Sequence, residues 1–200
     1  MDITRNMNGA RALVVGAGLA LALAMVTAPT PAMAAGRVGS TKVMVRTEID
    51  NVNFKVPTVI PFVAKADGTL QGPSEDATTI DNLSAYGIHV TNMKIDAMNT
   101  WTIAADAKTG SAQNSIDFKV GPDGALQDAS AATQGTGIDL SKNATFDMGY
   151  QGIAGGSDKI KLKTSGNVAR VTRDIFHITG EGDQVATITW TVEPGAHATA

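Results

Sequence analysis

The chain has 200 residues, no cysteine and a formal net charge of −3 at neutral pH. The absence of cysteine excludes disulfides, a thiol nucleophile, thiolate metal sites and a lipid-modified N-terminal cysteine. The mild negative charge argues against a nucleic-acid-binding protein, which needs a basic face.

The first 34 residues have the features of a secretory signal peptide. Arg5 and Arg11 give a positively charged N-terminal region before an apolar run over residues 12–26. Ala-Met-Ala at 32–34 then provides the small residues of a cleavage site. A retained membrane anchor is the alternative, but a run of about 15 residues is shorter than the roughly 20 that span a bilayer. We therefore expect cleavage after Ala34, secretion, and no membrane span in the mature protein.

Removal of this segment leaves residues 35–200 with a net charge of −4. A chain of this length can bury about two-thirds of its unfolded surface as one domain. It contains no Pro-rich or charge-rich linker, so the sequence predicts a single domain over 35–200.

Apolar and polar residues alternate in several short runs, which is the pattern of strands with one buried and one exposed face. Helical periodicity is scarce in residues 35–200. The sequence predicts an all-β fold, either an antiparallel β-sandwich or a partly open barrel, with less than about one-fifth helix. The apolar phases of the runs are Val43/Val45/Thr47/Ile49, Ile116/Phe118/Val120, Ile160/Leu162 and Ala186/Ile188/Trp190/Val192.

Turn and loop signals separate these runs. Asp67-Gly68 and Asp123-Gly124 are typical of β-hairpins, and Gly-rich reversals are expected at 154–158, 164–167 and 180–184. Small polar residues at 107–115 and 127–137 predict two long exposed loops.

One run changes phase within itself. The apolar residues Ile88 and Val90 occupy even positions, whereas Met93 and Ile95 occupy odd positions, and these would point to opposite faces of a regular strand. The slip predicts a β-bulge near Thr91-Asn92, with two short strands and a tight joint as the alternative.

Residues with catalytic or metal-binding chemistry are few and scattered. The three histidines do not share ligand spacing on one strand, so a solvated or hydrogen-bonding role is expected for each. The carboxylates beside glycine or proline are explained by turns rather than by an acid–base pair. We therefore predict no catalytic, cofactor or metal residues and no enzyme activity, although calcium at a loop stays open. The residues concerned are His89, His177 and His197, and Asp67, Asp123 and Asp183.

The two tryptophans, Trp101 and Trp190, both occur in Thr-Trp-Thr followed by a β-branched residue. Trp101 shares the apolar phase with Ile103, and Trp190 shares it with Val192. Both rings are expected to anchor the core. An exposed ring that stacks on a sugar or packs on a partner is the alternative, and both roles are compatible if one ring edge is buried.

These tetrads resemble the motifs of the WxL domain of Gram-positive surface proteins. The matching residues are Trp101-Thr102-Ile103 and Trp190-Thr191-Val192, in which Ile103 and Val192 replace the leucine. The stretch from "VPTVIPFVAKADGT" to "NTWTI" also resembles bacterial surface proteins of β-sandwich type. The resemblance implies a domain that attaches non-covalently to peptidoglycan, often in complexes with other wall proteins.

Two functions remain open. The first is an exported, wall-associated binding protein that holds peptidoglycan, a surface glycan or other surface proteins, since "EPGAHATA" carries neither LPxTG nor an apolar tail. The alternative is a subunit of a surface fibre or pilus-like assembly formed by β-strand addition, with "STKVMVRTEID" at 40–50 as the donated strand. The same segment is otherwise the first strand of its own sandwich. The oligomeric state is left open.

Overall fold

The computed structural model describes residues 44–46, 51–175 and 182–196. The predicted signal peptide, His177 and His197 lie outside these residues. The chain divides into two units after Met44, and the fold belongs to the second unit. Strands in antiparallel sheets dominate the described part and the helix content is 8%, so the predicted all-β fold is confirmed.

The described residues contain thirteen strands, one α-helix and two 3-10 helices of three residues. The helices are α1 (Ala129–Ala132) and the 3-10 segments Glu75–Ala77 and Ala144–Phe146. The strands are β1 (Phe54–Lys55), β2 (Val63–Ala64), β3 (Leu70–Gln71), β4 (Thr79–Asn82), β5 (Ile88–Ala97), β6 (Thr102–Ile103), β7 (Ser115–Gly121), β8 (Gln127–Asp128), β9 (Ile138–Asp139), β10 (Asp147–Met148), β11 (Lys159–Lys161), β12 (Lys163–Ala169) and β13 (Ala186–Pro194).

The first four-stranded sheet, the β5 sheet, has the order β10-β5-β13, and β9 also pairs with β5. Its pairing carries the predicted bulge. Thr191 lies opposite Asn92, whereas Val192 lies opposite Val90, so Thr91 is the extra residue of a continuous β5. The bulge lets the apolar residues on both sides of Thr91 face the core.

The second four-stranded sheet, the β7 sheet, has the order β12-β7-β6, and β8 also pairs with β7. The pair of β6 and β7 is parallel, while the other strand pairs of the fold are antiparallel. The β7–β8 hairpin turns at Pro122–Ala125, where Gly124 has a φ of 76°. This is the second of the two predicted Asp-Gly hairpins.

Two smaller sheets complete the fold. One has the order β1-β4-β11, and the other is the hairpin of β2 and β3. That hairpin turns at Asp67-Gly68, where Gly68 has a φ of 82° and the Asp67 carboxylate accepts from the Thr69 N–H at 2.9 Å. The first predicted Asp-Gly hairpin is thus present too.

One apolar cluster joins the two four-stranded sheets. Ile116, Phe118 and Val120 of β7 are buried in it, as the alternation predicts. From the β5 sheet come Val90, Met93 and Ile95, which are fully buried. The inner faces of the two sheets thus meet in one core.

Two local predictions are wrong. Residues 164–167 form the interior of β12 rather than a reversal, with Gly166 opposite Phe118. A Cβ on Gly166 would lie 2.2 Å from the Asp117 carbonyl oxygen, so the glycine permits close strand contact instead of a turn.

The segment 127–137 is not one long exposed loop. It contains β8 and the short helix α1. Asp128 caps the N-terminus of α1, because its carboxylate accepts from the Ser130 N–H at 2.9 Å. Ala129 and Ala132 are fully buried against the sheets, since residues three apart share one helix face.

His89 takes the hydrogen-bonding role that the sequence leaves open for it. Its side chain is buried in β5, with Nδ1 2.6 Å from Asp147 Oδ1 and Nε2 2.9 Å from the Leu140 carbonyl oxygen. A carbonyl only accepts, so Nε2 carries a proton. His89 therefore cross-links β5 to β10 and to the chain after β9.

Candidate functional site

An apolar cleft of about 900 Å³ opens between β13 and the β7 sheet; we call it the Trp cleft. Both tryptophans line it. Most of its walls come from three parts of the chain: the segment 57–64, the inner side chains of β7 and β12, and residues 182–190. Leu70, Trp101 and Ile175 complete the lining. The apolar side chains that give the cleft its character are Val59, Ile60, Phe62, Val63, Leu70, Ile116, Phe118, Val120, Val168, Ile175, Val185 and Ile188.

A tight turn positions Trp101 at the cleft. The Trp101 N–H donates to the Met98 carbonyl at 3.0 Å, and Asn99 and Thr100 between them have φ values of 50° and 64°. Asn tolerates this left-handed conformation, whereas a β-branched Thr does so at a cost of roughly 1–2 kcal/mol. The turn places Trp101 just before β6 with only 5% of its surface exposed.

Asp183, which also lines the cleft, holds this turn in place. Its carboxylate accepts from Trp101 Nε1 at 2.9 Å and from Asn99 Nδ2 at 3.3 Å. Arg173 donates to both carboxylate oxygens. Burial raises the pKa of Asp183, but the hydrogen bonds from Arg173 and Trp101 outweigh burial and the pKa lies below its usual value. Asp183 is thus a charged anchor for Trp101.

Trp190 lies in the middle of β13. It stands opposite Met93, and Ile188 stands opposite Ile95. Directly opposed residues point to the same face, so the Trp190 ring projects inward as its strand phase predicts. In contrast to Trp101, Trp190 is only half-buried. Part of its ring therefore faces the open space of the cleft.

The structure brings together two of the four predicted motif residues. Trp101 and Trp190 line the same cleft, whereas Ile103 and Val192 lie outside its lining. Val192 is buried in the core, and Ile103 is half-buried and packs against the core. The third position of each motif is therefore a packing position.

The cleft has an exposed apolar rim. Val63 has 65% of its surface exposed, and Val59 and Ile175 are also exposed. Large apolar side chains normally bury their surface, and an exposed cluster of them marks an interaction site. The rim surrounds an opening in the core rather than a flat patch.

A strand edge runs along the cleft. β5 occupies one edge of the nine-residue β13, and within the described part of the chain no strand pairs with the other edge. A free edge of this length presents N–H and C=O groups that can pair with an incoming strand. The Trp cleft thus combines an apolar trough with a backbone template.

Sequence reasoning missed the residues around Trp101. The turn-like stretch at 180–184 concealed Asp183, which is an ion-pair partner and not a turn residue. The other carboxylates weighed with it have separate partners, since Asp67 stabilises its own turn and Asp123 pairs with Lys163 at 2.7 Å. No signal in the sequence links Asp183 to Arg173 and Trp101, because the contacts depend on tertiary folding.

The described residues contain neither a cluster of metal ligands nor a helix that could span a membrane. No group of three or more His, Cys, Asp or Glu side chains comes together there as metal ligands. No helix in that part of the chain has the length and apolar character to cross a membrane.

Comparisons of the chain with protein-family models, curated proteins and solved structures found no match.

Proposed function

We propose that this chain is an exported, non-enzymatic binding protein of the cell surface, and that the Trp cleft takes an extended strand of a protein partner. The observation that carries the proposal is the apolar cleft with its exposed rim beside an edge of β13 that no strand of the described residues occupies. An incoming strand would pair its backbone with β13 and place every second side chain in the cleft.

The chemistry of the lining supports a polypeptide ligand with apolar side chains. The walls are mainly aliphatic and aromatic, and Asp183 is already engaged by Arg173 and Trp101. Backbone pairing would supply affinity and the cleft would select the side chains.

A wall glycan at Trp190 is the second candidate. The observation that favours it is the indole of Trp190, which is only partly buried and lines the cleft. An indole face can pack on the apolar face of a sugar ring. This site would attach the protein to peptidoglycan without a covalent link.

The test is retention of the secreted protein on cell walls, measured with Val63→Asp and with Leu126→Asp as a matched control. Both replace an exposed apolar residue, but only Val63 lines the cleft. We expect Val63→Asp to weaken retention on protein-bearing walls about tenfold or more, because its carboxylate would be desolvated by the partner strand. Leu126→Asp should bind like the parent.

Purified peptidoglycan separates the two candidates. If retention on protein-free peptidoglycan equals that on whole walls and depends on Trp190, the glycan is the ligand and the strand-binding proposal is wrong. Equal retention of the parent and Val63→Asp on both materials would show that the cleft is not the site.

A further inference from the structure

The segment 40–50 has the features that the Trp cleft requires of a ligand. Its alternation places Val43, Val45 and Ile49 on one side of an extended chain and Met44 with four charged residues on the other. Of the described residues 44–46, Met44 is 89% exposed and Val45 is 96% exposed, and neither is in a strand. Val45 therefore has no place in the core of its own chain.

We propose that the occupant of the Trp cleft is the segment 40–50 of a second copy of this chain, so that the copies join head to tail. The inference rests on the proposed function and names the partner strand. In the complex the donated segment pairs with the free edge of β13 and extends the β5 sheet by one strand.

The lengths of the two partners match. β13 has nine residues, which is about 30 Å of strand, and residues 42–50 span the same distance when extended. The inward face of β13 presents Ala186, Ile188 and Trp190 at alternate positions. A neighbouring strand in register would place its own alternate side chains beside them.

The burial pattern explains why a second copy fits. The donor exposes Val45 and the acceptor exposes Val59, Val63 and Ile175, so the contact would cover apolar surface on both partners. The polar phase of the donor would lie beside Thr189, Thr191 and Glu193, which are exposed on the outer face of β13. The donor segment and the Trp cleft are different parts of the chain, so the contact is heterologous and can repeat from one copy to the next.

The first experiment measures the size of the secreted protein by light scattering over a range of concentrations. We expect polymers that grow with concentration for the parent and for Met44→Asp, whose side chain belongs to the outward phase. Val45→Asp and Val63→Asp should both stay monomeric, because each buries an unpaired carboxylate in the contact. Leu126→Asp, on another surface, should polymerise like the parent.

Mixing the two monomeric variants tests the head-to-tail geometry. Val45→Asp keeps a normal cleft and Val63→Asp keeps a normal donor segment, so the mixture should form one-to-one dimers that grow no further. A peptide of residues 40–50 should bind Val45→Asp and change its tryptophan fluorescence, since Trp190 lines the cleft. The affinity of the same peptide with Asp at position 45 should be lower by about tenfold or more.

Two results would overturn the inference. A parent that stays monomeric at every concentration and does not bind the peptide would exclude the second copy as the partner. A monomer whose melting temperature falls on Val45→Asp would place the segment in its own chain. Neither result would contradict cleft-dependent retention on protein-bearing walls, so the failure of this inference can be distinguished from failure of the proposed function.

Discussion

The two tryptophans differ in how firmly they are held. Trp101 is enclosed by the core and its indole N–H is bound to a carboxylate that is itself held by Arg173. Trp190 is anchored through its strand, and part of its ring is left in the cleft. The same tetrad therefore gives one mainly structural residue and one residue with surface to offer a ligand.

This difference predicts unequal costs of truncation. We expect Trp101→Ala to lower the free energy of unfolding by about 3–5 kcal/mol, as for a buried aromatic side chain. Trp190→Ala should cost about 1–2 kcal/mol, because the ring already has solvent contact. Urea denaturation of the two variants measures both values. Equal losses would contradict the distinction, as would a Trp101→Ala variant as stable as the parent.

The Asp183 ion pair predicts a dependence of stability on pH. The pKa of Asp183 is lowered in the folded state, so its stabilising contribution is complete above the ordinary aspartate pKa of about 3.9 and is lost as the pH falls through the folded value. The stability gap between the parent and Asp183→Asn should therefore be full at neutral pH and shrink below about pH 4. Melting temperatures across this range measure the gap.

Asp123→Asn is the control for this effect. Asp123 pairs with Lys163 at the surface, and exposed pairs contribute little to stability. This variant should follow the parent at every pH. A gap for Asp183→Asn that stays constant into acid would contradict the assigned role of the Asp183 charge.

At the scale of single residues, the sequence predicts which side chains face the core but not which polar side chains form hydrogen bonds with one another. The phase of Trp190 with Ile188 follows from strand alternation alone. The bond between Trp101 and Asp183 joins residues 82 positions apart, and no local pattern encodes such a contact.

At the scale of single elements, the predictable features are those that produce a periodic pattern of apolar residues in the sequence. The bulge at Thr91 is predictable because β5 must keep apolar residues on the core side before and after it. Gly166 does not distinguish a turn from a strand in the sequence, since glycine is typical both of turns and of strands that approach closely. The helix α1 is too short to show a period, and Asp128 before Ala129 was its only local signal.

The close approach at Gly166 predicts a steric penalty. Gly166→Ala should lower the free energy of unfolding by about 1–3 kcal/mol, because the added methyl group would collide with the backbone of β7. Gly110→Ala is the control, since a Cβ there has its nearest atom at 3.8 Å. Thermal melts compare the two. A Gly166→Ala variant as stable as Gly110→Ala would mean that β12 and β7 are farther apart than described.

At the scale of the whole molecule, the all-β class follows from alternation and turn chemistry, whereas the order of strands in the sheets does not. β7 pairs with β12, β8 and β6, and these partners come from both directions along the chain. The Trp cleft arises from this topology, which explains why the sequence identifies the two tryptophans but not the space between them.

The secretion expectation also belongs to the whole molecule. We predict that the secreted protein begins at Ala35, because Ala-Met-Ala precedes this residue after an apolar run too short to span a bilayer. Intact-mass spectrometry of the culture supernatant measures the N-terminus. A secreted product that retains residues 12–26 would contradict the prediction.

The pairing of β5 with β13 sets the time at which this protein can fold. Residues 98–185 separate the two strands, so the longest sheet contact cannot form until β13 has been synthesised. Contacts between distant parts of a chain are slow to form because the intervening segment must first be brought together. A chain that is still being synthesised therefore lacks β13 until late, and the strand edge that borders the Trp cleft forms only when β13 pairs with β5.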